Sequence, residues 1–142
     1  MTVAREALTA LNLEYADAVR ARDPERWGAT WADDAVWELG PDRHVTGRDA
    51  IVELWSRAIA KYDRVVQLYL STVFAIDDEA GRATGRVELL ELNRTADGAA
   101  HSMAGHYLDG YVRTPDGWRF ASRRLEKYYA GPPDLSGLFA GD

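Results

Sequence analysis

Four long segments fill the second half of the chain, and they limit the fold more than any other feature of the sequence. Residues 65–76, 83–93, 100–113 and 118–128 each have the composition and pattern of a strand. The sequences DDEAG, TADG and TPDG separate them, and each is typical of a tight turn. We therefore predict an antiparallel meander built from these segments.

The start of the chain is helical in pattern. Apolar residues recur at helical spacing over residues 3–18, which predicts an amphipathic helix that ends near Arg22. Asp23 followed by Pro24 combines an N-cap residue with a proline at the first helical position. A short second helix is expected to follow over residues 24–31.

One strand and a third helix lie between these helices and the meander. Residues 35–39, AVWEL, predict the strand, and the Gly-Pro pair after it ends the strand. Thr46 and Asp49 form a predicted capping box for a helix whose apolar face spans residues 51–59.

This order of elements predicts an α+β fold in which a cone-shaped, curved and mostly antiparallel sheet wraps around three N-terminal helices. Residues 1–130 are expected to form a single domain, and residues 131–142 an irregular tail. The concave side of such a sheet is where a small ligand is expected to bind.

Composition excludes several classes of function. The chain has 142 residues, a net charge of −6 with arginines scattered among acidic residues, and no cysteine. Nucleic acids and anionic membranes select for clustered positive charge, so neither is expected as a partner. The absence of cysteine rules out disulfides, thiolate metal sites and a cysteine nucleophile. The N-terminus has no unbroken apolar core, so we expect a soluble cytoplasmic protein.

Three motifs stand at the starts of predicted elements: ADDA before the first strand, GRDAI at the start of the third helix and DGWRF at the start of the last strand. Together they resemble the SnoaL-like branch of the nuclear transport factor two-like superfamily. The resemblance spans nearly the whole chain. It implies the nuclear transport factor two-like, cystatin-like α+β roll, and a cofactor-independent enzyme for small hydrophobic molecules.

Ketosteroid isomerase is one member of this superfamily, and it uses two hydrogen-bond donors at the substrate oxygen. Resemblance to it assigns these roles to Tyr15 on the first helix and Asp109 on the third strand of the meander. The position of the isomerase's general base is occupied by Leu39, and the neighbouring Glu38 is expected on the opposite face of the strand.

Scytalone dehydratase and hexachlorocyclohexane dehydrochlorinase, two other members, use an Asp–His pair. The corresponding positions are Arg20 and Gln67, so that mechanism does not carry over, although both side chains can hold a carbonyl or carboxylate group. An epoxide hydrolase of the same fold uses an Asp-Arg-Asp set, which Arg86 and Glu88 match only faintly.

The sequence leaves two interpretations of Asp109 open. It is a carboxylate on a strand face shared with Tyr107 and Tyr111, and pairing through TPDG places it opposite Ser122 with Arg124 diagonal to it. It can therefore form a surface ion pair with Arg124. Alternatively it can face the interior, where burial would keep it protonated and able to donate to an oxyanion.

Both faces of residues 83–93 are mixed in character, and the resemblance implies that the face of Val87 and Glu91 points inward. Glu91 and His101 would then lie near the mouth of the cavity, and they are the remaining candidates for moving a proton. Trp37, Trp55, Tyr69 and Tyr107 are expected to form pocket walls, together with Leu39, Arg20 and Gln67 as substrate-binding positions. The remaining histidines, His44 and His106, do not complete a metal-ligand pattern, so no metal and no cofactor are expected.

These observations predict an enzyme that isomerises, dehydrates or cyclises a hydrophobic, cyclic, oxygenated compound by acid-base chemistry, as a polyketide cyclase-like protein would. A non-catalytic binding or dimerisation module of the same fold is the main alternative, and epoxide hydrolysis is a third. Apolar strands can also pair sheet faces, so a homo-oligomer, either a dimer or a trimer, is expected.

Overall fold

One mixed sheet packs against three helices, in agreement with the predicted α+β fold class. The computed structural model describes residues 2–133. The elements in chain order are α1 (Thr2–Ala21), α2 (Pro24–Gly28), β1 (Trp31–Gly40), β2 (Arg43–Thr46), α3 (Arg48–Ile59), β3 (Tyr62–Asp77), β4 (Arg82–Thr95), β5 (Ala100–Thr114) and β6 (Gly117–Gly131). Gly131 ends β6, and the predicted tail lies outside the described residues from residue 134 onward.

The sheet has six strands in the order β2-β1-β6-β5-β4-β3. Strands β3 to β6 form the predicted antiparallel meander, and β1 joins it by pairing in parallel with β6. Helices α1 and α3 contact the sheet, and α2 lies between them. None of the described helices has the length and apolar character needed to cross a membrane.

The elements around β1 correct two predictions and add one strand that was not predicted. Trp31 begins β1 and is fully buried, whereas the sequence placed it in the second helix. Strand β2 was not predicted; its residues are mostly exposed and it pairs only with the edge of β1. Gly47, not Thr46, caps α3, and no side chain caps that helix.

The N-cap at Asp23 is confirmed, since its carboxylate accepts hydrogen bonds from Glu25 N and Arg26 N.

Aromatic side chains fill the narrow end of the cone, where the helices meet β1. Trp27 and Trp31 are both 0% exposed, and Trp27 stacks on Trp55 with ring centroids 4.4 Å apart. Tyr15 from α1 packs against Trp27 and Phe120 at 5.4 Å each. The rings of Tyr15 and Trp55 also form part of the lining of the pocket described below.

Two bulges in β6 change which of its residues face the helices. Tyr111 pairs with Phe120 and Gly110 with Ser122, so Ala121 is an extra residue. An extra residue reverses the alternation of the strand beyond it. Arg123, rather than Ser122, therefore lies opposite Asp109 and points into the interior.

Candidate functional site

Asp109 and Arg123 form an ion pair in the core of the protein. Arg123 Nε donates to Asp109 Oδ1 at 2.7 Å and Arg123 Nη2 donates to Asp109 Oδ2 at 2.8 Å, with both side chains 0% exposed. Of the two interpretations of Asp109, the surface pair with Arg124 is wrong, because the bulge turns Arg124 outward, opposite Leu108. Desolvation makes such a pair costly unless further hydrogen bonds satisfy both groups.

Polar groups from α1 and β5 supply those further bonds. Asn12 Oδ1 accepts from Arg123 Nη2 at 2.5 Å, and Asn12 Nδ2 donates to the Tyr111 hydroxyl at 3.0 Å. The Tyr111 hydroxyl in turn donates to Asp109 Oδ2 at 2.7 Å. Both carboxylate oxygens of Asp109 therefore act as acceptors, so Asp109 is not placed to donate to a substrate as the sequence suggested.

Aromatic rings surround the guanidinium of Arg123. Its central carbon lies 3.8 Å from the ring centroid of Tyr107, 4.1 Å from that of Phe120 and 4.5 Å from that of Tyr15. These contacts allow cation–π attraction at a side chain that is 0% exposed to solvent. Burial opposes the charge, but Asp109 and the nearby phenol groups outweigh it and hold the pKa of Arg123 well above its usual value.

A chain of hydrogen bonds runs from Arg123 to a carboxylate on β4. Arg123 Nη1 donates to the Tyr69 hydroxyl at 3.0 Å, and that hydroxyl donates to Gln67 Oε1 at 3.2 Å. Gln67 Nε2 donates both to Glu91 Oε2 at 2.9 Å and to the Tyr107 hydroxyl at 3.1 Å. Asn93 Nδ2 donates to the other oxygen of Glu91 at 3.1 Å.

Gln67 and Glu91, at the far end of this chain of hydrogen bonds, border a pocket of about 240 Å³ that lies between the helices and the sheet. Aromatic and aliphatic side chains make up most of its lining, and the amide, carboxylate and hydroxyl groups described above lie on the sheet side. The lining residues are Tyr15, Val19, Trp37, Trp55, Ala58, Ile59, Tyr62, Val65, Gln67, Glu91, Asn93, His101, Met103, Tyr107, Leu125 and Lys127.

The pocket brings together most of the residues that the sequence singled out. Tyr15, Trp37, Trp55, Gln67, Glu91, His101 and Tyr107 all line it. Tyr69 lies behind Gln67, and His101 is an exposed residue that pairs with Asn93 across β4 and β5. Glu91 lies opposite Met103 and is half-buried.

Four predicted positions lie outside the lining of the pocket, and one of them is Tyr69, which bonds Gln67 but does not line the pocket itself. The Arg20 side chain is 65% exposed and pairs with Asp17, and Leu39 is not part of the lining. Asp109 lies in the core with Arg123 rather than at the pocket. Arg86 and Glu88 belong to the other face of β4, with Glu88 opposite His106, so the faint match to the epoxide hydrolase set lies outside the pocket.

Burial controls the ionisation of the tyrosines at the site. It raises the pKa of the Tyr15 hydroxyl, with Arg123 acting in the opposite direction, and it raises those of Tyr69, Tyr107 and Tyr111. All four phenols therefore stay protonated at neutral pH and can act as hydrogen-bond donors.

Sequence reasoning missed Arg123, and one signal could have found it. Phe120 and Leu125 are both apolar but differ by an odd number of positions, so a regular strand cannot turn both inward. One extra residue between them resolves the conflict, and Arg123 then faces inward together with Leu125. Asn12 and Asn93, two further members of the network, carry no comparable signal.

A metal site has no support in the described part of the chain. Within residues 2–133, no three His, Asp or Glu side chains come close enough together to hold a metal ion. The pocket has one carboxylate and one imidazole in its lining.

Comparison with solved structures shows the same architecture at low sequence identity. A Novosphingobium aromaticivorans protein provisionally named a scytalone dehydratase has 19% identity and a TM-score of 0.86, with 94% of this chain and 90% of that chain covered. The hexachlorocyclohexane dehydrochlorinase LinA-type3 from Novosphingobium barchaimii LL02 has 19% identity and a TM-score of 0.82, with coverage of 96% and 93%.

A further structure, an NTF2-like protein with a cystatin-like fold from Novosphingobium aromaticivorans, has 21% identity and a TM-score of 0.74, with coverage of 89% and 83%. At these identities the likeness establishes the fold. Among curated proteins, none matches the sequence significantly. The SnoaL-like domain profile matches residues 2–124, and the chain therefore belongs to the SnoaL-like family.

Proposed function

We propose that this protein is a cofactor-independent enzyme that moves a proton on a hydrophobic, cyclic, oxygenated small molecule, as an isomerase, a lyase or a cyclase does. One observation carries the proposal. At the wall of an apolar pocket, a single amide nitrogen of Gln67 bonds both the carboxylate of Glu91 and the hydroxyl of Tyr107. The Glu91 carboxylate can accept a proton and the Tyr107 hydroxyl can donate a hydrogen bond. The amide group of Gln67 links the two.

Glu91 acts as the general base in this proposal. Its oxygens each accept one hydrogen bond, from Gln67 and from Asn93, which fixes the orientation of the carboxylate and leaves lone pairs for a substrate proton. A base held in place before the substrate arrives needs little reorganisation in the transition state. His101, at the exposed edge of the pocket, is the second candidate and can exchange protons with solvent.

Tyr15 and Tyr107 stabilise the oxygen of the substrate. Both line the pocket, and burial raises the pKa of each hydroxyl so that each stays protonated. Removing a proton next to a carbonyl leaves negative charge on its oxygen, and donors aimed at that oxygen lower the barrier by several kcal/mol. In this role Tyr107 replaces Asp109, whose oxygens bond Arg123 and Tyr111.

Proton abstraction can be tested before the natural substrate is known. We would incubate the protein with 2-tetralone in D₂O and follow exchange of the hydrogens next to the carbonyl by NMR. Wild-type protein is expected to accelerate exchange above the buffer rate. Glu91→Gln is expected to reduce that acceleration by about 10²–10⁴-fold, the usual contribution of a general base.

Glu88→Gln provides the matched control. Glu88 is a glutamate on the same strand but on the opposite face, so its replacement should leave exchange unchanged. Thermal unfolding of both variants measures whether they fold equally well. Equal exchange by wild type and Glu91→Gln would overturn the assignment of the base.

A non-catalytic binding module is the second candidate. Arg20 points into solvent, and Gln67, which is not a proton acceptor, stands where the related enzymes have a histidine. Tight binding of 2-tetralone with no exchange above the buffer rate would favour this alternative.

We further propose that the protein forms a dimer or trimer through the outer face of the sheet. Leu68, Leu70 and Leu92 on β3 and β4 are 45%, 62% and 41% exposed there. Leucines exposed in this number on one face favour association. Light scattering should give a multiple of the monomer mass, and the double variant Leu70→Lys, Leu92→Lys should be monomeric; a monomeric wild type would contradict the proposal.

A further inference from the structure

We infer that Arg123 is a positioning residue that sets the direction of the hydrogen bonds at the pocket, through Tyr69 and Gln67. Because of this direction, the Tyr107 hydroxyl presents its hydrogen to the pocket. The ligand group that contacts this hydrogen must therefore be an acceptor oxygen, such as that of a carbonyl or ether. This inference names the ligand chemistry of the site and rests on the proposed function for its catalytic meaning.

Arg123 determines which group donates in the first hydrogen bond of the chain. A guanidinium has donors and no acceptor, so the oxygen of Tyr69 must accept the 3.0 Å bond from Arg123 Nη1. A phenol has one hydrogen, and the remaining short contact of Tyr69 is to Gln67 at 3.2 Å. The hydrogen of Tyr69 must therefore point to Gln67, and the Gln67 atom that it meets must be the amide oxygen.

The orientation of Gln67 follows. With its oxygen facing Tyr69, its NH₂ group faces Glu91 at 2.9 Å and Tyr107 at 3.1 Å. An ionised carboxylate only accepts hydrogen bonds, so the Glu91 end requires the same orientation. Both ends of the chain of bonds thus agree, and the reverse orientation would oppose the amide oxygen to a carboxylate.

The orientation of Gln67 in turn determines where the hydroxyl hydrogen of Tyr107 points. Its oxygen accepts the second hydrogen of Gln67, so its own hydrogen points away from Gln67, toward the side of the pocket on which the Tyr15 hydroxyl also lies. A ligand oxygen with lone pairs satisfies that hydrogen, whereas an ammonium or amide N–H group would not. The pocket therefore selects its ligand by an acceptor beside Tyr107 and a removable proton beside Glu91.

The core rather than the ligand holds Arg123 in place. Its Nε and Nη2 atoms are committed to Asp109 and Asn12, which leaves Nη1 for Tyr69. The side chain is 0% exposed, so it cannot turn toward solvent. This arrangement gives the buried ion pair a role at the pocket that does not require either of its members to touch substrate.

We call the directed hydrogen bonds from Arg123 through Tyr69 and Gln67 to Tyr107 the relay. Side-chain NMR of the protein without ligand tests the relay directly. In ¹⁵N-labelled wild type, the Gln67 amide protons, assigned by their loss in Gln67→Ala, should be shifted downfield and protected from solvent exchange. Tyr69→Phe removes the bond to the Gln67 oxygen and should move these signals toward free-amide positions and speed their exchange. Tyr111→Phe is the matched control, because it removes a buried hydroxyl that bonds Asp109 but not Gln67.

Each result of the NMR experiment either supports or overturns the relay. Unchanged Gln67 signals in Tyr69→Phe, or equal changes in Tyr69→Phe and Tyr111→Phe, would overturn the relay. If Tyr69→Phe does not fold, the wild-type spectrum still decides, since Gln67 protons that exchange at the rate of a free amide also overturn it. None of these measurements needs turnover, so a failure of the relay and a failure of the proposed enzyme function are distinct results.

A pair of probes tests the ligand chemistry. 2-Tetralone and 2-methylenetetralin have the same shape, but CH₂ replaces the carbonyl oxygen in the second. Tyr107→Phe should weaken binding of the ketone by about tenfold, the value of one hydrogen bond, and leave the alkene within about twofold. Equal weakening of both probes, or of neither, would overturn the claim that Tyr107 donates, and the NMR experiment decides the relay whether or not the probes bind.

Discussion

Arg123 and Asp109 meet in the core of this protein through two bonds of 2.7 and 2.8 Å, with neither side chain exposed to solvent. The pair lies between α1 and the sheet, and Asn12 and Tyr111 complete its hydrogen bonds. One arm of the guanidinium then reaches Tyr69 and, through it, the pocket. The stability of the fold and the order of the site therefore depend on the same side chain.

Replacing Asp109 should be costly for stability. Asp109→Asn leaves the Arg123 charge buried without a counter-charge, and we expect a loss of about 3–5 kcal/mol in the free energy of unfolding. Urea denaturation measures this value. The control is Asp78→Asn, which breaks the bond between Asp78 and Arg113, whose side chains are 47% and 44% exposed, and should cost no more than about 1 kcal/mol.

Equal costs for the two aspartate variants would contradict the buried ion pair. A small cost for Asp109→Asn alone would mean that Arg123 finds another partner or reaches water.

Alkaline pH should unfold the protein through its buried phenols. Burial raises the pKa of Tyr15, Tyr69, Tyr107 and Tyr111 above the ordinary value of about 10. A group with a raised folded-state pKa contributes stability that is complete below its unfolded value and is lost as pH rises toward the folded value. Stability should therefore fall above about pH 10.

Tyrosinate absorbance and near-ultraviolet circular dichroism can be followed in one titration to check this. The buried tyrosines should ionise together with the loss of the aromatic circular dichroism signal. Ionisation of all tyrosines near their ordinary pKa in a protein that keeps its native signal would contradict their burial.

Two glycines on β5 should differ sharply in their tolerance of a methyl group. A Cβ at Gly105 would overlap the backbone oxygen of Glu126, next to the second bulge of β6, where Tyr128 is the extra residue. Gly105→Ala should cost about 1–3 kcal/mol because backbone must move. A Cβ at Gly110 meets the Ser122 hydroxyl at 2.8 Å, which can rotate, so Gly110→Ala should cost less.

Thermal or urea unfolding of both alanine variants provides the measurement. If Gly110→Ala were the more destabilising of the two, the register around the bulges would be wrong.

The sequence was sufficient for the meander and its turns because these depend on local patterns. The DDEAG, TADG and TPDG segments connect β3 to β4, β4 to β5 and β5 to β6 as predicted, and the Asp23 cap begins α2. Trp31 was misplaced because a tryptophan fits the apolar face of a helix as well as that of a strand, and only packing against Trp27 and Phe120 decides between them.

The site was harder to predict, because a single extra residue moved it. Ala121 reverses the faces of β6, which sends Arg124 outward and Arg123 inward. Resemblance to related enzymes placed Tyr15, Gln67 and the inward face of Glu91 at the pocket, and the alternation of a strand placed Tyr107 there. The bond between Gln67 and Glu91 joins neighbouring strands, and only the register of β3 on β4 brings the two side chains together.

The central claim is that Glu91 and Tyr107 act on one oxygenated ligand from the sheet side of the pocket. A crystal structure of the protein with 2-tetralone bound tests it most directly. The claim predicts the ketone in the pocket between Trp55 and the sheet, with its carbonyl oxygen within hydrogen-bond distance of the Tyr107 hydroxyl and its adjacent carbon facing a Glu91 oxygen. A ketone bound elsewhere, or in the pocket with its oxygen turned away from Tyr107, would contradict the claim.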